Sequence, residues 1–179
     1  ALKQFPRADS RHRVEHSTLM GKDDRLLKRA KRLGVVLNML STTYESGESF
    51  KDYGTERIAY MAPYRSAIDL GIPVAGHSDW PVSLANPMSR ICDMVNRKSK
   101  EGVVFGPNQR VTPEEAIHVW TIGGAYASFE EKEKGSLEVG KLADIVILSA
   151  DPTKVSPDTI KDIQVEMTIT GGRIAYEKT

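Results

Sequence analysis

The chain has 179 residues, enough for one full domain or for one domain with a small companion. Its 40% apolar and 27% charged content is that of an ordinary globular protein, and 25 basic against 24 acidic residues, interspersed, leave a net charge of +1. That balance lacks the basic face or stripe of a nucleic-acid binder, and no apolar run approaches the roughly 20 residues of a membrane span.

Residues 1–10 carry no internal pattern. Residues 11–16 alternate, with His12, Val14 and His16 on one face and Arg11, Arg13 and Glu15 on the other, which predicts a strand ending at His16. Asp23 or Asp24 is expected to cap a helix over 25–33, stopped by Gly34. Residues 35–40 are apolar apart from Asn38 and read as a strand buried on both faces. A polar loop over 41–54 follows, then a helical pattern over 55–70 that Pro63 divides and Gly71 ends. Residues 72–77 form a third apolar strand that runs into Gly76-His77-Ser78-Asp79-Trp80-Pro81. A strand that delivers a polar cluster at its carboxyl end is how open α/β sheets and α/β barrels present a site.

A helix is expected over 87–98 and a loop over 99–111. Thr112-Pro113-Glu114-Glu115 then gives a capping box with proline at the first helical position. Gly123-Gly124 is expected to break that helix. From Gly135 onward the pattern is mostly strand, and Gly171-Gly172 between two strand-like runs signals a hairpin. Cys92 is the only cysteine, so no intrachain disulfide forms, which favours a cytoplasmic location. In its helix Cys92 reads as a buried, inert thiol. His12 is expected to pack, and His118 to be an ordinary helix histidine.

Three alternating strands make neither a closed barrel nor a comfortable open sheet, so the chain reads as part of a TIM-type barrel. Arg11-His12-Arg13-Val14-Glu15-His16 resembles the Arg-x-Arg-Ile-Glu-His strand of the amidohydrolase superfamily, in its amidohydrolase 3 branch of metal-dependent hydrolases. The run from Ala67 to Val82, through His77-Ser78-Asp79-Trp80-Pro81, is similar to the last barrel strand of that branch. The helix opening at Val111-Thr112-Pro113, the run from Gly135 to Leu148 and the Thr168 to Ile174 hairpin match in the same order. The resemblance covers residues 11–176.

The resemblance implies an α/β fold: the C-terminal part of a (β/α)8 barrel, about strands six to eight, over residues 1–132. Part of a small β-sandwich would occupy 133–179. It further implies that the His-x-His of strand one, the Lys or Glu of strand four and the His of strand five belong to a missing N-terminal part of the barrel. After Met39-Leu40 the chain runs into Ser41-Thr42-Thr43-Tyr44, where relatives often carry a Gln-Pro-x-His-like segment.

For chemistry, the resemblance makes Asp79 both a metal ligand and the group that takes a proton from metal-activated water as it attacks the substrate carbon. On local sequence alone a capping role fits Asp79 slightly better; the flanking matches turn the reading to catalysis. His16 would bind metal or polarise a carbonyl. His77, where relatives often have a small residue, is expected to back the site or face the substrate, and Trp80 to line the pocket as a substrate contact or pack beneath it. The implied cofactor is a divalent metal, zinc foremost, one ion or two. The implied activity is hydrolysis of C–N bonds in a small molecule: an amide, N-acyl or N-formyl group, cyclic amide or amidine. The alternative is a catalytically incompetent fragment or a non-enzymatic binding module that self-associates. Either way, a homo-oligomer is expected, with neither nucleic acid nor membrane as partner.

Overall fold

Three parallel strands lie side by side in the order in which they occur: β1 (Arg13–His16), β2 (Val36–Leu40) and β3 (Val74–His77). The computed structural model describes residues 4–20, 23–41, 43 and 51–179. The register aligns Glu15 with Asn38 and Ala75, and His16 with Met39 and Gly76, so the carboxyl ends of all three strands reach the same edge. Helix α1 (Arg25–Arg32) follows β1, and α2 (Thr55–Ile58) with α3 (Tyr64–Asp69) follows β2. After β3 come α4 (Pro87–Asn96), α5 (Pro113–Trp120) and α6 (Ile122–Ala127).

The two faces of the sheet have different neighbours. Leu37, Met39 and Val74 share a core with Leu27 and Ala30 of α1, Ala67 of α3, Ile91 and Met94 of α4 and Val119 of α5. Val36 and Ala75 pack instead on Ala127 and Tyr126 of α6. β2 is therefore covered on both sides, which is why its sequence is a nearly unbroken apolar run. Each of these large aliphatic side chains contributes about 1.5–3 kcal/mol on burial.

Several local expectations need correction. Asp24 stands at the N-cap of α1 without a side-chain cap; the carboxylate that accepts the Arg25 amide, at 2.9 Å, is that of Asp23. The polar 41–54 segment lies largely outside the described residues, apart from Ser41, Thr43 and a 3-10 turn at Lys51–Tyr53. Gly123-Gly124 is not a break. The helix interrupts at Thr121 (φ −118°, ψ −89°), and both glycines sit inside α6. The reason is packing: a Cβ on Gly123 would run into the Val74 carbonyl oxygen, so glycine lets α6 press directly on β3. The capping box of α5 is present as expected, with the Glu115 amide donating to Thr112 Oγ1 and the Thr112 amide donating to Glu115 Oε2. His12 is exposed rather than packed.

The rest of the chain forms an antiparallel sheet, β4 (Ile145–Leu148), β5 (Val165–Thr170) and β6 (Arg173–Glu177). Gly171 and Gly172, at φ 56° and 78°, make the tight turn between β5 and β6. A 3-10 turn at Pro157–Asp162 inserts Ile160, with Ile163 just beyond it, into the main core beside Cys92 of α4. Asn96 Nδ2 donates to the Pro157 carbonyl at 2.7 Å and strengthens that junction.

Candidate active site

The site is built at the carboxyl edge of the parallel sheet. β1 ends in His16, β2 in Leu40 followed by Ser41, and β3 in His77 followed by Ser78 and Asp79. Three of these residues take the left-handed backbone region that non-glycine residues rarely adopt: His16 at φ 64°, Ser17 at 47° and Asp79 at 58°. Such conformations persist only where surrounding bonds fix them, and they concentrate at functional sites. At β1 the buried Ser17 hydroxyl donates to the Val14 carbonyl at 3.0 Å, and the Ser17 amide donates to the Glu15 carbonyl at 2.8 Å. This tight turn swings His16 across the sheet edge toward β3.

As a result His16 Nε2 lies 3.8 Å from Asp79 Oδ1, although β2 separates their strands. The His16 and His77 rings meet edge to face, with centroids 4.9 Å apart and planes at 81°. Burial, and secondarily the neighbouring His16, hold the His77 imidazole below its usual pKa, against the opposing pull of Asp79 and Glu15. Its Nε2 is buried and has no hydrogen-bond partner among the described residues. Trp80 is 69% exposed. His16, His77 and Asp79 are thus brought together, while Trp80 stands at the solvent-facing rim.

A metal ion touching His16 Nε2 and Asp79 Oδ1 would bridge 3.8 Å. Tetrahedral zinc with ligands near 2.1 Å sets its donors about 3.4 Å apart, so the pair stands a few tenths of an ångström wider than one ion needs. Imidazole and carboxylate are also the donor types zinc accepts. Among the described residues no three His, Cys, Asp or Glu side chains gather around a common point, so a metal here would need further ligands.

Sequence reasoning missed three contributors. Arg90 of α4, fully buried, ties the segments after β2 and β3. Asn38 Nδ2 donates to Glu15 Oε2 on the face of the sheet away from the outer helices. Trp120 lies against Gly76, its indole nitrogen 2.8 Å from where a Cβ would stand. Only the last had a signal in the sequence, since a glycine inside a strand marks a close approach.

A family profile described as "Amidohydrolase family" matches residues 1–176. The chain belongs to the amidohydrolase family. It is 30% identical to an N-substituted formamide deformylase from Arthrobacter pascens over its whole length, which is 33% of that protein. It is 31% identical to an imidazolonepropionase from Parabacteroides distasonis, over 90% of this chain and 34% of the relative. Among solved structures it is similar to a metal-dependent hydrolase from Pyrococcus horikoshii, with TM-score 0.69 and 27% identity over 81% of this chain and 30% of that one. This amidohydrolase chain spans about a third of the length of the curated relatives it matches. Its parallel sheet is therefore a sector of an α/β barrel, as the strand count and the resemblance implied. No helix among the described residues is long and apolar enough to cross a membrane.

Proposed function

We propose that this chain contributes Asp79 and His16 to the site of a metal-dependent hydrolase that cleaves C–N bonds in small molecules. The observation that carries the reading is the approach of His16 Nε2 to Asp79 Oδ1, 3.8 Å apart across two strand ends with left-handed backbones. The relative named for deformylating N-substituted formamides supports C–N chemistry, and amide, N-acyl, cyclic amide or amidine substrates fall in the same class.

Zinc, when bound, supplies a Lewis acid and a water whose pKa is lowered to about 7. Asp79 accepts the proton of the attacking water and returns it to the departing nitrogen. Its half-exposed neighbour His16 either shares the ion or polarises the scissile carbonyl. His77, whose imidazole burial keeps neutral and whose ring meets that of His16, backs the site or faces the substrate with its exposed edge. Trp80 covers the substrate from the rim. In this reading residues 1–132 form the barrel sector and 133–179 the sandwich part. The remaining ligands come from a preceding part of the barrel, and the protein works in the cytoplasm as a homo-oligomer.

The test is metal content, measured by mass spectrometry on the purified chain beside its Asp79→Ala and His16→Ala forms. Zinc that falls in both variants is expected. Zinc unchanged in both would overturn the ligand assignment. In a protein carrying the complete barrel, Asp79→Asn is expected to lower kcat by about 10²–10⁴-fold.

A further inference from the structure

We propose that Arg90 is a positioning residue for Asp79, acting through Ser83 and the Ser78 carbonyl. This proposal rests on the reading of Asp79 as a site residue.

Arg90 belongs to the first turn of α4 and is fully buried, an unfavourable place for a guanidinium unless its donors are used. Its two terminal nitrogens are used on the segments that leave the sheet edge. Nη1 donates to the Ser41 carbonyl, just past β2, at 2.9 Å. Nη2 donates to the Leu84 carbonyl at 3.0 Å and to Ser83 Oγ at 3.2 Å. Asp93 Oδ2, also buried, lies 3.7 Å from Nη1 and balances the charge from one turn along α4.

Ser83 is the link. Its hydroxyl accepts from Arg90 and donates to the carbonyl of Ser78. That carbonyl belongs to the peptide unit joining Ser78 to Asp79, so holding it sets the plane on which the φ of Asp79 turns. On the other side of the residue, the Val82 amide donates to the Asp79 carbonyl at 2.8 Å. Both peptide planes flanking Asp79 are thereby fixed, and a residue at φ 58° needs such fixing to stay there. The planar fork of an arginine reaches three acceptors on two segments at once; a lysine ammonium offers one point charge. The same side chain therefore sets the ends of β2 and β3 relative to one another as well as the direction of the Asp79 carboxylate.

The test uses this chain and two variants, Arg90→Lys and Ser83→Ala, with amide exchange read by NMR and thermal unfolding measured alongside. Ser83→Ala leaves the buried arginine in place, so it separates positioning from loss of the core. Both variants are expected to raise exchange at the Val82 amide by about tenfold, the scale of one hydrogen bond, while the Met94 and Val95 amides keep wild-type protection. The double variant should add little to Arg90→Lys, because both changes cut one relay. Unchanged exchange at Val82 in Ser83→Ala, or protection lost evenly along α4, would overturn the proposal. In the hydrolytic assay of a complete barrel, Ser83→Ala is expected to lower kcat with KM held. If Asp79→Asn leaves kcat unchanged there, the site reading fails, and the exchange measurement still decides the positioning role.

Discussion

Gly76 stands one residue before His77, where a side chain has no room. A Cβ there would lie 2.8 Å from Trp120 Nε1 and 2.9 Å from Cε2, so Gly76→Ala must displace a ring on the helix behind the strand. We expect it to destabilise the fold by about 1–3 kcal/mol, the usual cost of overpacking, and to shift the tryptophan emission. Unchanged emission and melting would mean that the indole moves freely. A second residue-scale device ties the chain before β1 to the chain after α6. The Arg11 guanidinium lies over the Tyr126 and Phe129 rings, 3.8 and 4.5 Å from their centroids, and forks onto Glu131 with two bonds of 2.8 Å. Those bonds lower the Glu131 pKa from 4.5 to about 2. Because the folded value lies below the unfolded one, this latch contributes fully above pH 4.5 and is lost as the pH falls toward 2. Denaturant titrations over that range should show a shallower acid loss in Glu131→Gln than in the wild type. Of these residues, His16 and Asp79 were legible because strand periodicity and flanking motifs placed them at strand ends. Glu131 and the tie from Arg90 to Ser41 were not, because those partners lie 120 and 49 residues apart and no local pattern encodes them, while Trp120 left only the glycine it packs against as a signal.

At the scale of elements, the order of strands and helices was legible because β2 and β3 are apolar runs and β1 an alternating one, set between charged helices. The capping box at Thr112 was legible because it needs only three residues of context. Gly123-Gly124 misled because glycine weakens a helix by itself, and only the tertiary contact with Val74 reveals why it is there. The two glycines make a paired test. A Cβ on Gly123 meets backbone that cannot yield, whereas one on Gly124 meets nothing within 4 Å. Gly123→Ala is expected to destabilise by about 1–3 kcal/mol through strain, and Gly124→Ala to stabilise by about 0.5–1 kcal/mol through helix propensity. Urea midpoints moving in the same direction for both would show that α6 does not press on β3.

At the scale of the molecule, the edge strand of the parallel sheet and the antiparallel sheet both leave apolar surface in water. Val14 of β1, in register with Leu37 on the helix-packed face, is 45% exposed, and Ile174 of β6 is 60% exposed. In the antiparallel sheet Val146 and Tyr176 flank Thr168 on one face, while Ile145, Ile169 and Ile174 align in register on the other. Among the described residues β4 and β6 each pair on one side only, so two strand edges offer free backbone groups beside apolar side chains. Edges of this kind pair with other chains unless a charge or a bulge blocks them. Purified by itself, the chain is therefore expected to associate with itself. Sedimentation velocity should give a mass that rises with concentration, and Ile174→Lys, which puts a charge on an edge strand, should shift the distribution toward monomer. A concentration-independent monomer in the wild type would mean that the twist and the register shifts of β4 and β6 already protect these edges. Any self-association would then have to use the free edge of β1, where Val14 is exposed.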